Sequence, residues 1–162
     1  AELIWLAGFI DGEGTIALKT NGESAKRGFN KQILPYVQIA GTNVKTVEYI
    51  HDLLDRWEIG HHITWFQSRK AEWKRAWMVS MIGFKRTSKI LNLITEFLIT
   101  KNEQAVEVSA YIQRRIDNEY KRAPYTQTDY DAFNRIKALN RKGSAETFTD
   151  YTPRLDDSSK MV

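Results

Sequence analysis

The sequence predicts an α+β domain with the element order α-β-β-α-β-β-α and additional helices at its carboxyl end. Two observations predict this class: apolar residues recur every three to four positions in the longer segments, and they alternate with polar residues in four shorter ones. Four strands covered by helices on one face form a two-layer sandwich. The chain has 162 residues, 42% of them hydrophobic and 27% charged, which is enough for one domain with a substantial core.

The first helix is predicted over residues 2–11 and is apolar nearly all round. One side carries the large residues Leu3, Leu6 and Ile10, whereas the other combines small, apolar and acidic residues: Ile4, Ala7, Gly8 and Asp11. A helix that is apolar on both sides is expected to be buried on both sides. We therefore predict a second packing partner on the side that carries the small residues.

Two alternating segments after this helix predict a β-hairpin. Ile16 and Leu18 share one face of the first strand and Lys19 lies on the other. In "KQILPYVQIA" the polar face carries Gln32, Tyr36 and Gln38. The intervening stretch "NGESAKRGFN", residues 21–30, is rich in turn-forming residues and is predicted to be a loop.

After the hairpin the pattern returns to a helix and then to strands. Asn43 is expected to cap a helix over 44–57, because its side chain can accept an N–H from the first turn. Two further strands are predicted at 62–69 and 74–81. With the first hairpin they complete a four-stranded sheet.

The carboxyl-terminal third is predicted to be helical. A third helix is expected over 84–99, and the pair Thr100 and Glu103 has the spacing of a capping box that opens a fourth helix toward Tyr120. A shorter helix is plausible near 128–139. We assign residues 1–142 to one domain, with its core in 2–122, and residues 143–162 to a polar tail.

Basic residues are concentrated in the second half of the predicted sheet. Between Trp65 and Ile90 there are seven lysines and arginines and a single acid, Glu72, although the whole chain has a net charge of only +4. Such a segment is an electrostatic footprint for nucleic acid, or alternatively a lysine-rich edge that discourages aggregation. On the first interpretation the polar sheet face contacts bases and phosphates through Lys19, Gln32, Tyr36, Gln38, Trp65, Gln67, Arg69 and Lys74.

The stretch "LAGFIDGEG", residues 6–14, places acids where the first helix ends. The carbonyl end of a helix carries a partial negative charge, so Asp11 and Glu13 are unfavourable there unless a cation or water compensates them. Carboxylate and carbonyl oxygens are ligands for divalent cations, and the Gly12 carbonyl could join them. The alternative is a solvated turn in which the glycines supply positive φ.

Other chemistries have little support in the sequence. Cysteine is absent, which excludes disulfides and thiolate metal sites. No apolar run approaches the ~20 residues of a membrane span, so we expect no membrane partner and an intracellular location. His61 and His62 are expected on opposite faces of a strand, and His51 without a partner one turn along its helix, so surface or packing roles are predicted for all three.

The stretch "LAGFIDGEG" closely resembles the LAGLIDADG motif of homing endonucleases. Its first three residues, Asp11 and the final glycine agree, Gly12 stands in place of the second alanine, and Glu13 stands in place of the last aspartate. The resemblance covers about residues 2–122. It implies a saddle-shaped sheet over DNA, and a site-specific double-strand endonuclease that depends on Mg²⁺, with Mn²⁺ or Ca²⁺ substituting in binding.

The resemblance also implies roles for particular residues. Glu13 would be the catalytic metal ligand with the Gly12 carbonyl beside it, and Lys101 in "FLITKNEQA" a second catalytic residue near the scissile phosphate. A solvated first-turn lysine is the alternative for Lys101. A chain with one motif implies a homodimer on a nearly palindromic target, packed through a face formed by Ile4, Ala7, Gly8 and Asp11. Asp11 would cap or orient at that interface.

Two other functions are compatible with the same fold. One is an RNA-splicing maturase, for which intron RNA is the partner, and the other is a DNA-binding protein without catalysis. Metal-dependent cleavage of DNA that is lost when Glu13 is neutralised distinguishes the endonuclease from both.

Overall fold

The structure is a computed structural model that describes residues 1–20, 32–118 and 123–141. The predicted loop at 21–30, the end of the fourth helix near Tyr120 and the tail at 143–162 lie outside the described residues.

Within the described ranges the chain forms four strands and five α-helices in the predicted order. They are α1 (Glu2–Glu13), β1 (Gly14–Thr20), β2 (Ile33–Gly41), α2 (Val44–Arg56), β3 (His62–Phe66), β4 (Ala76–Ile82), α3 (Phe84–Ile94), α4 (Asn102–Asp117) and α5 (Gln127–Leu139). The predicted α+β class is confirmed. No helix in the described ranges is both long and apolar enough to cross a bilayer.

The strands form one antiparallel sheet in the order β1-β2-β4-β3. The second strands of the two hairpins therefore pair with each other at its centre. Val37 lies opposite Ile16 and Met81, and all three are fully buried. Residues directly opposite in a sheet share a face, so this register places one continuous apolar face of the sheet in the core.

The same register defines the outer face of the sheet. Gln38 on β2 lies opposite Thr15 on β1 and Ser80 on β4. Lys19 and Tyr36 have the same phase along their strands, so the face assignments predicted for the first hairpin are confirmed.

The second hairpin differs from the prediction in its strand bounds and in the face that Trp65 occupies. Its strands are shorter than expected, because β3 ends at Phe66 and β4 begins at Ala76. Trp65 lies opposite Trp77, on the face that the helices cover, and is therefore on the wrong face to join Gln38. A shift of one residue in phase exchanges the faces of a whole strand, and the outer face of β3 is formed by His62, Thr64 and Phe66.

Close packing joins the end of β2 to α2. A Cβ added at Gly41 would lie 2.6 Å from the buried Trp77 ring, so this position needs glycine. The Trp77 indole N–H donates to the Asn43 carbonyl at 2.9 Å, and the Asn43 side chain accepts from the Thr46 N–H at 3.1 Å. The predicted cap on α2 is confirmed.

The third and fourth helices begin and end differently from the prediction. α3 ends at Ile94 and a 3₁₀ turn over Thr95–Phe97 follows, so the helix predicted over 84–99 is interrupted. The predicted capping box at Thr100 is wrong, because the residue before α4 is Lys101 and no side chain caps that helix locally. A side chain of α1, Asp11, instead accepts from the backbone N–H groups of the turn before α4.

Candidate metal centre and nucleic-acid interface

The carboxyl end of α1 presents oxygen atoms to solvent. Glu13 is the last residue of the helix, and both it and Gly12 are exposed. The Gly14 N–H closes the helix on the Ile10 carbonyl. Among the residues that the structure describes, none bonds to the Glu13 carboxylate, so it is available to a ligand.

Asp11, unlike Glu13, forms hydrogen bonds within the chain. Its carboxylate accepts three backbone N–H groups from the turn before α4, those of Ile99 at 2.9 Å, Thr100 at 2.9 Å and Lys101 at 2.8 Å. These donors lie about ninety residues along the chain, so one side chain of α1 fixes where α4 begins. We call this arrangement the Asp11 clasp.

The electrostatics of the clasp favour the charged form of Asp11. Partial burial alone would raise the pKa of the carboxyl, but the N–H donors of Thr100, Lys101 and Ile99 and the nearby Lys101 charge outweigh it. The pKa of Asp11 is therefore lowered. The carboxylate stays ionised and holds the turn.

The clasp brings Lys101 to the end of α1. The Lys101 ammonium donates to the main-chain carbonyl of Asp11. A cation at the carbonyl end of a helix is favourable, and here it lies one residue from Gly12 and two from Glu13 along α1. The structure thus places the two residues predicted as catalytic, Glu13 and Lys101, around the same helix end.

The donor set at this helix end fits a hard divalent cation. Glu13 offers a carboxylate and Gly12 a carbonyl, and oxygen ligands of this kind suit Mg²⁺ and Ca²⁺ rather than softer metals. Among the described residues, Glu13 is the single free carboxylate at this helix end, because Asp11 is engaged in the clasp.

The outer side of α1 is an apolar stripe that no element in the described ranges covers. Ile4 is 57% and Trp5 40% exposed, and a Cβ added at Gly8 or Gly12 would meet nothing within 4 Å. Ala7 does not belong to this stripe, since it is fully buried inside the chain. We define the outer stripe as Ile4, Trp5, Gly8 and Gly12.

The outer sheet face carries the predicted polar residues of the first hairpin. The Lys19 ammonium lies 5.4 Å from the centre of the Tyr36 ring, and the Gln38 amide donates to the Ser80 hydroxyl at 3.3 Å. Burial raises the pKa of Tyr36, so its hydroxyl stays protonated. Gln32 is exposed just before β2.

The remaining predicted contacts lie in the connection between β3 and β4. Gln67, Arg69 and Lys74 are exposed there, outside the strands. Sequence reasoning missed two cation–ring pairs in this region, Arg75 over Trp65 at 5.1 Å and Lys70 over Trp73 at 5.2 Å. The alternation of basic residues with tryptophans in this segment is the sequence pattern that could have predicted these pairs.

The last helix adds a surface that the sequence did not predict as functional. The Asn140 side chain donates to the Ile16 carbonyl at 2.8 Å and so covers the free edge of β1. A groove between α5 and the outer sheet face is lined by residues that include Lys19, Tyr36, Lys137 and Arg141. Positive charge therefore continues from the sheet onto α5.

Solved structures with the same fold are homing endonucleases. The archaeal intron-encoded homing endonuclease I-Vdi141I, solved in complex with DNA, matches with a TM-score of 0.65 and 14% identity over 99% of this chain and 98% of that chain. I-CvuI, solved with its target in the presence of Ca, matches with a TM-score of 0.64 and 15% identity over 91% and 86% of the two chains.

A third similarity is to part of a longer chain. I-SmaMI, bound to uncleaved DNA with calcium ions, matches with a TM-score of 0.52 and 23% identity over 83% of this chain but only 42% of that one. No known family profile matches the sequence, and no curated protein matches it.

The fold is that of the LAGLIDADG homing endonucleases. The resemblance that "LAGFIDGEG" predicted is thereby confirmed at the level of the fold.

Proposed function

We propose that this chain is a site-specific double-strand DNA endonuclease that acts as a homodimer and hydrolyses phosphodiester bonds with a divalent cation. The observation that carries the proposal is the end of α1, where Glu13 and the Gly12 carbonyl are exposed and the Asp11 clasp holds Lys101 beside them. The DNA complexes of I-Vdi141I and I-CvuI, which share the fold, support DNA as the substrate.

Each residue at this helix end has a distinct part in the proposed reaction. Glu13 and Gly12 hold the cation, Mg²⁺ in the first place, and Mn²⁺ or Ca²⁺ can replace it in binding. When bound, the cation stabilises negative charge at the phosphate. Lys101 adds a fixed positive charge near that phosphate, and Asp11 orients Lys101.

A homodimer supplies the second carboxylate. The described part of one chain offers one free carboxylate at this site, and we expect the two strands to be cut at two such centres. The exposed outer stripe of α1 provides small residues through which two helices can approach closely. The chain matches nearly all of I-Vdi141I but less than half of I-SmaMI, so the same fold unit occurs both as a nearly whole chain and as part of a longer one. A two-fold pair reads a nearly palindromic site.

The outer sheet face reads the DNA in this proposal. Lys19, Tyr36 and Gln38 lie together on β1 and β2, where they can contact base edges and phosphates in the major groove. On β3 the candidate DNA contacts are the outer-face residues His62, Thr64 and Phe66, and no longer Trp65. The tip of the second hairpin, with Arg69 and Lys74, contributes phosphate contacts.

A cleavage selection on a randomised duplex library with Mg²⁺ tests the proposal. We expect cuts confined to a nearly palindromic consensus for the wild-type protein and for Glu48→Gln, a control at an exposed acid on α2. Glu13→Gln is expected to bind the same consensus and to cut it at least 100-fold more slowly, because it lacks the anionic ligand.

Three other results would contradict the proposal in different ways. Normal cutting by Glu13→Gln would show that the active site is elsewhere. Enrichment of bound DNA without cutting by any variant would favour a DNA-binding protein. Assisted splicing of an intron RNA without DNA cleavage would favour a maturase.

A further inference from the structure

A second cluster of potential ligands lies on α2, away from the residues discussed so far. His51 on α2 and His61, just before β3, have ring nitrogens 2.8 Å apart, His51 Nδ1 and His61 Nε2. The prediction that His51 lacks a partner one turn along the helix is wrong, because its Nε2 lies 3.2 Å from the Asp55 carboxylate. His61 Nδ1 lies 2.8 Å from the Ile59 carbonyl oxygen.

The partners of the outer ring nitrogens fix the positions of the hydrogens. The Asp55 carboxylate and the Ile59 carbonyl only accept hydrogen bonds, so His51 Nε2 and His61 Nδ1 must both carry hydrogen. A neutral imidazole has only one N–H. If both rings are neutral, two lone pairs face each other across 2.8 Å. Such a contact is repulsive unless a cation lies between them, either a shared proton or a metal ion.

The surroundings match those of a metal-binding histidine pair. Ligating histidines typically donate their other N–H to a carboxylate or a backbone carbonyl, which fixes the ring and raises its basicity. His51 and His61 each have one such acceptor. Zn–N bonds of about 2.0–2.1 Å place two tetrahedral ligands roughly 3.3 Å apart. The rings would therefore need to separate by about half an ångström and to tilt so that both lone pairs point at the ion. The His51 side chain is 45% exposed, so water can complete the coordination.

We propose that His51 Nδ1 and His61 Nε2 bind one transition-metal cation of the Zn²⁺ class, with Asp55 and the Ile59 carbonyl orienting the two rings. This site has nitrogen ligands, whereas the helix end at Glu13 offers oxygen. Imidazole nitrogens favour Zn²⁺, Ni²⁺ and Cu²⁺ over Mg²⁺ and Ca²⁺. The bound ion links α2 to the beginning of β3 and stabilises that junction, and it is independent of the proposed nuclease activity.

The chain is well suited to a direct test. It contains three histidines and no cysteine, so the imidazole ¹⁵N spectrum is simple and no thiolate competes. His62 is exposed on the outer sheet face and serves as the matched control. On titration of the full chain with Zn²⁺ we expect the shift of a metal-bound nitrogen at His51 Nδ1 and at His61 Nε2, and no change at His62.

Affinity and stability provide two further readouts. Calorimetry should show one Zn²⁺ per chain, and binding should be lost in His51→Gln and His61→Gln but kept in His62→Gln. Asp55→Asn should weaken binding by about 10-fold or more. Zn²⁺ should raise the thermal midpoint of the wild-type protein, because it binds only the folded site, and this increase should be lost in His51→Gln and kept in His62→Gln.

Several results would overturn the proposal. One is Zn²⁺ binding that survives both substitutions, and another is a response at His62 equal to that of the pair. A pair that takes up a proton on acidification but binds no Zn²⁺ would identify the shared cation as a proton only. The nitrogen assignment in the wild-type protein decides the question even if a variant fails to fold.

Discussion

Asp11 and Glu13 are two residues apart but differ in their hydrogen bonding. The Asp11 carboxylate accepts hydrogen bonds from three backbone N–H groups of its own chain, whereas the Glu13 carboxylate has no bonded partner within the described residues. Because each acid sits at the carbonyl end of a helix, each needs positive charge nearby. Asp11 receives it from N–H groups and Lys101, which leaves Glu13 as the acid available to an external cation.

The clasp predicts a stability effect for Asp11→Asn. The variant keeps one acceptor oxygen but loses the charge and turns an NH₂ donor toward backbone N–H groups. We expect a loss of about 1–3 kcal/mol in the free energy of unfolding, measured by urea denaturation at pH 7. Asp52→Asn, at an exposed position of α2, is the control and should change stability little. An equal effect of both substitutions would show that the clasp adds no stability.

The lowered pKa of Asp11 predicts how this difference depends on pH. A carboxyl group with a lower pKa in the folded state stabilises the fold at pH values above its unfolded pKa, about 3.9, and the stabilisation is lost as the pH falls through the folded value. The stability of the wild-type protein relative to Asp11→Asn should be constant from pH 7 to about 5 and decrease below about 4. A constant difference down to pH 2 would contradict this.

Among the elements, α4 and the segment that leads into α5 hold the beginning of β2 in place. The buried Tyr111 hydroxyl on α4 donates to the Ile33 carbonyl at 2.7 Å, and the Ile33 N–H donates to the Tyr125 hydroxyl at 2.8 Å. Burial raises the pKa of Tyr111, so it remains a donor. Both backbone groups at the first residue of β2 are thus satisfied by side chains, one from α4 and one from the segment just before α5.

The beginning of α5 depends on a buried acid. Asp129 and Thr126 form a capping box, in which the Thr126 N–H donates to the Asp129 carboxylate at 3.0 Å. The same carboxylate, 4% exposed, lies 3.5 Å from Arg114 Nε and 3.7 Å from Arg115 Nη1. Arg115 is itself almost fully buried and stacks on the Tyr125 ring at 4.3 Å.

We therefore expect Asp129→Ala to be strongly destabilising. It removes the cap and leaves the buried Arg115 charge without its carboxylate, a change that typically costs about 3–5 kcal/mol. The low end is expected, because both ion-pair distances are long and Arg114 is partly exposed. Asp131→Ala, at an exposed position of the same helix, should cost under about 1 kcal/mol in denaturant unfolding. Similar losses in both variants would point to helix propensity rather than the buried pair.

At the scale of the whole molecule, the outer stripe of α1 has no covering element within the described chain. Gly8 has open space where a side chain would lie. The monomer alone therefore gives no reason for glycine there, and a helix interior normally disfavours it by about 1 kcal/mol relative to alanine. A second chain packed against the stripe would explain it.

The open space at Gly8 predicts opposite effects of Gly8→Leu on the monomer and on the dimer. The free energy of unfolding measured at low protein concentration should be unchanged or higher, by up to about 1 kcal/mol. Sedimentation should show loss of the dimer, because the added side chain fills the space between the two helices. Ala110→Leu, at an exposed position of α4, should leave association unchanged. A Gly8→Leu protein that still forms dimers would place the interface elsewhere.

The sequence by itself determined the order of the elements, the two faces of the first hairpin and the family resemblance of the α1 motif. Each of these rests on local information: the period of apolar residues within one segment, or nine consecutive residues. The cap on α2 by Asn43 is local in the same sense, because donor and acceptor are three residues apart.

Only the tertiary structure decided the phase of β3, the clasp and the histidine pair. The face of Trp65 depends on the register with Trp77 across the hairpin, and a short strand that carries an aromatic residue on each face leaves that register open. Asp11 caps a turn some ninety residues away, and His51 meets His61 across a helix end. These contacts are set by how the elements pack together, which no local periodicity encodes.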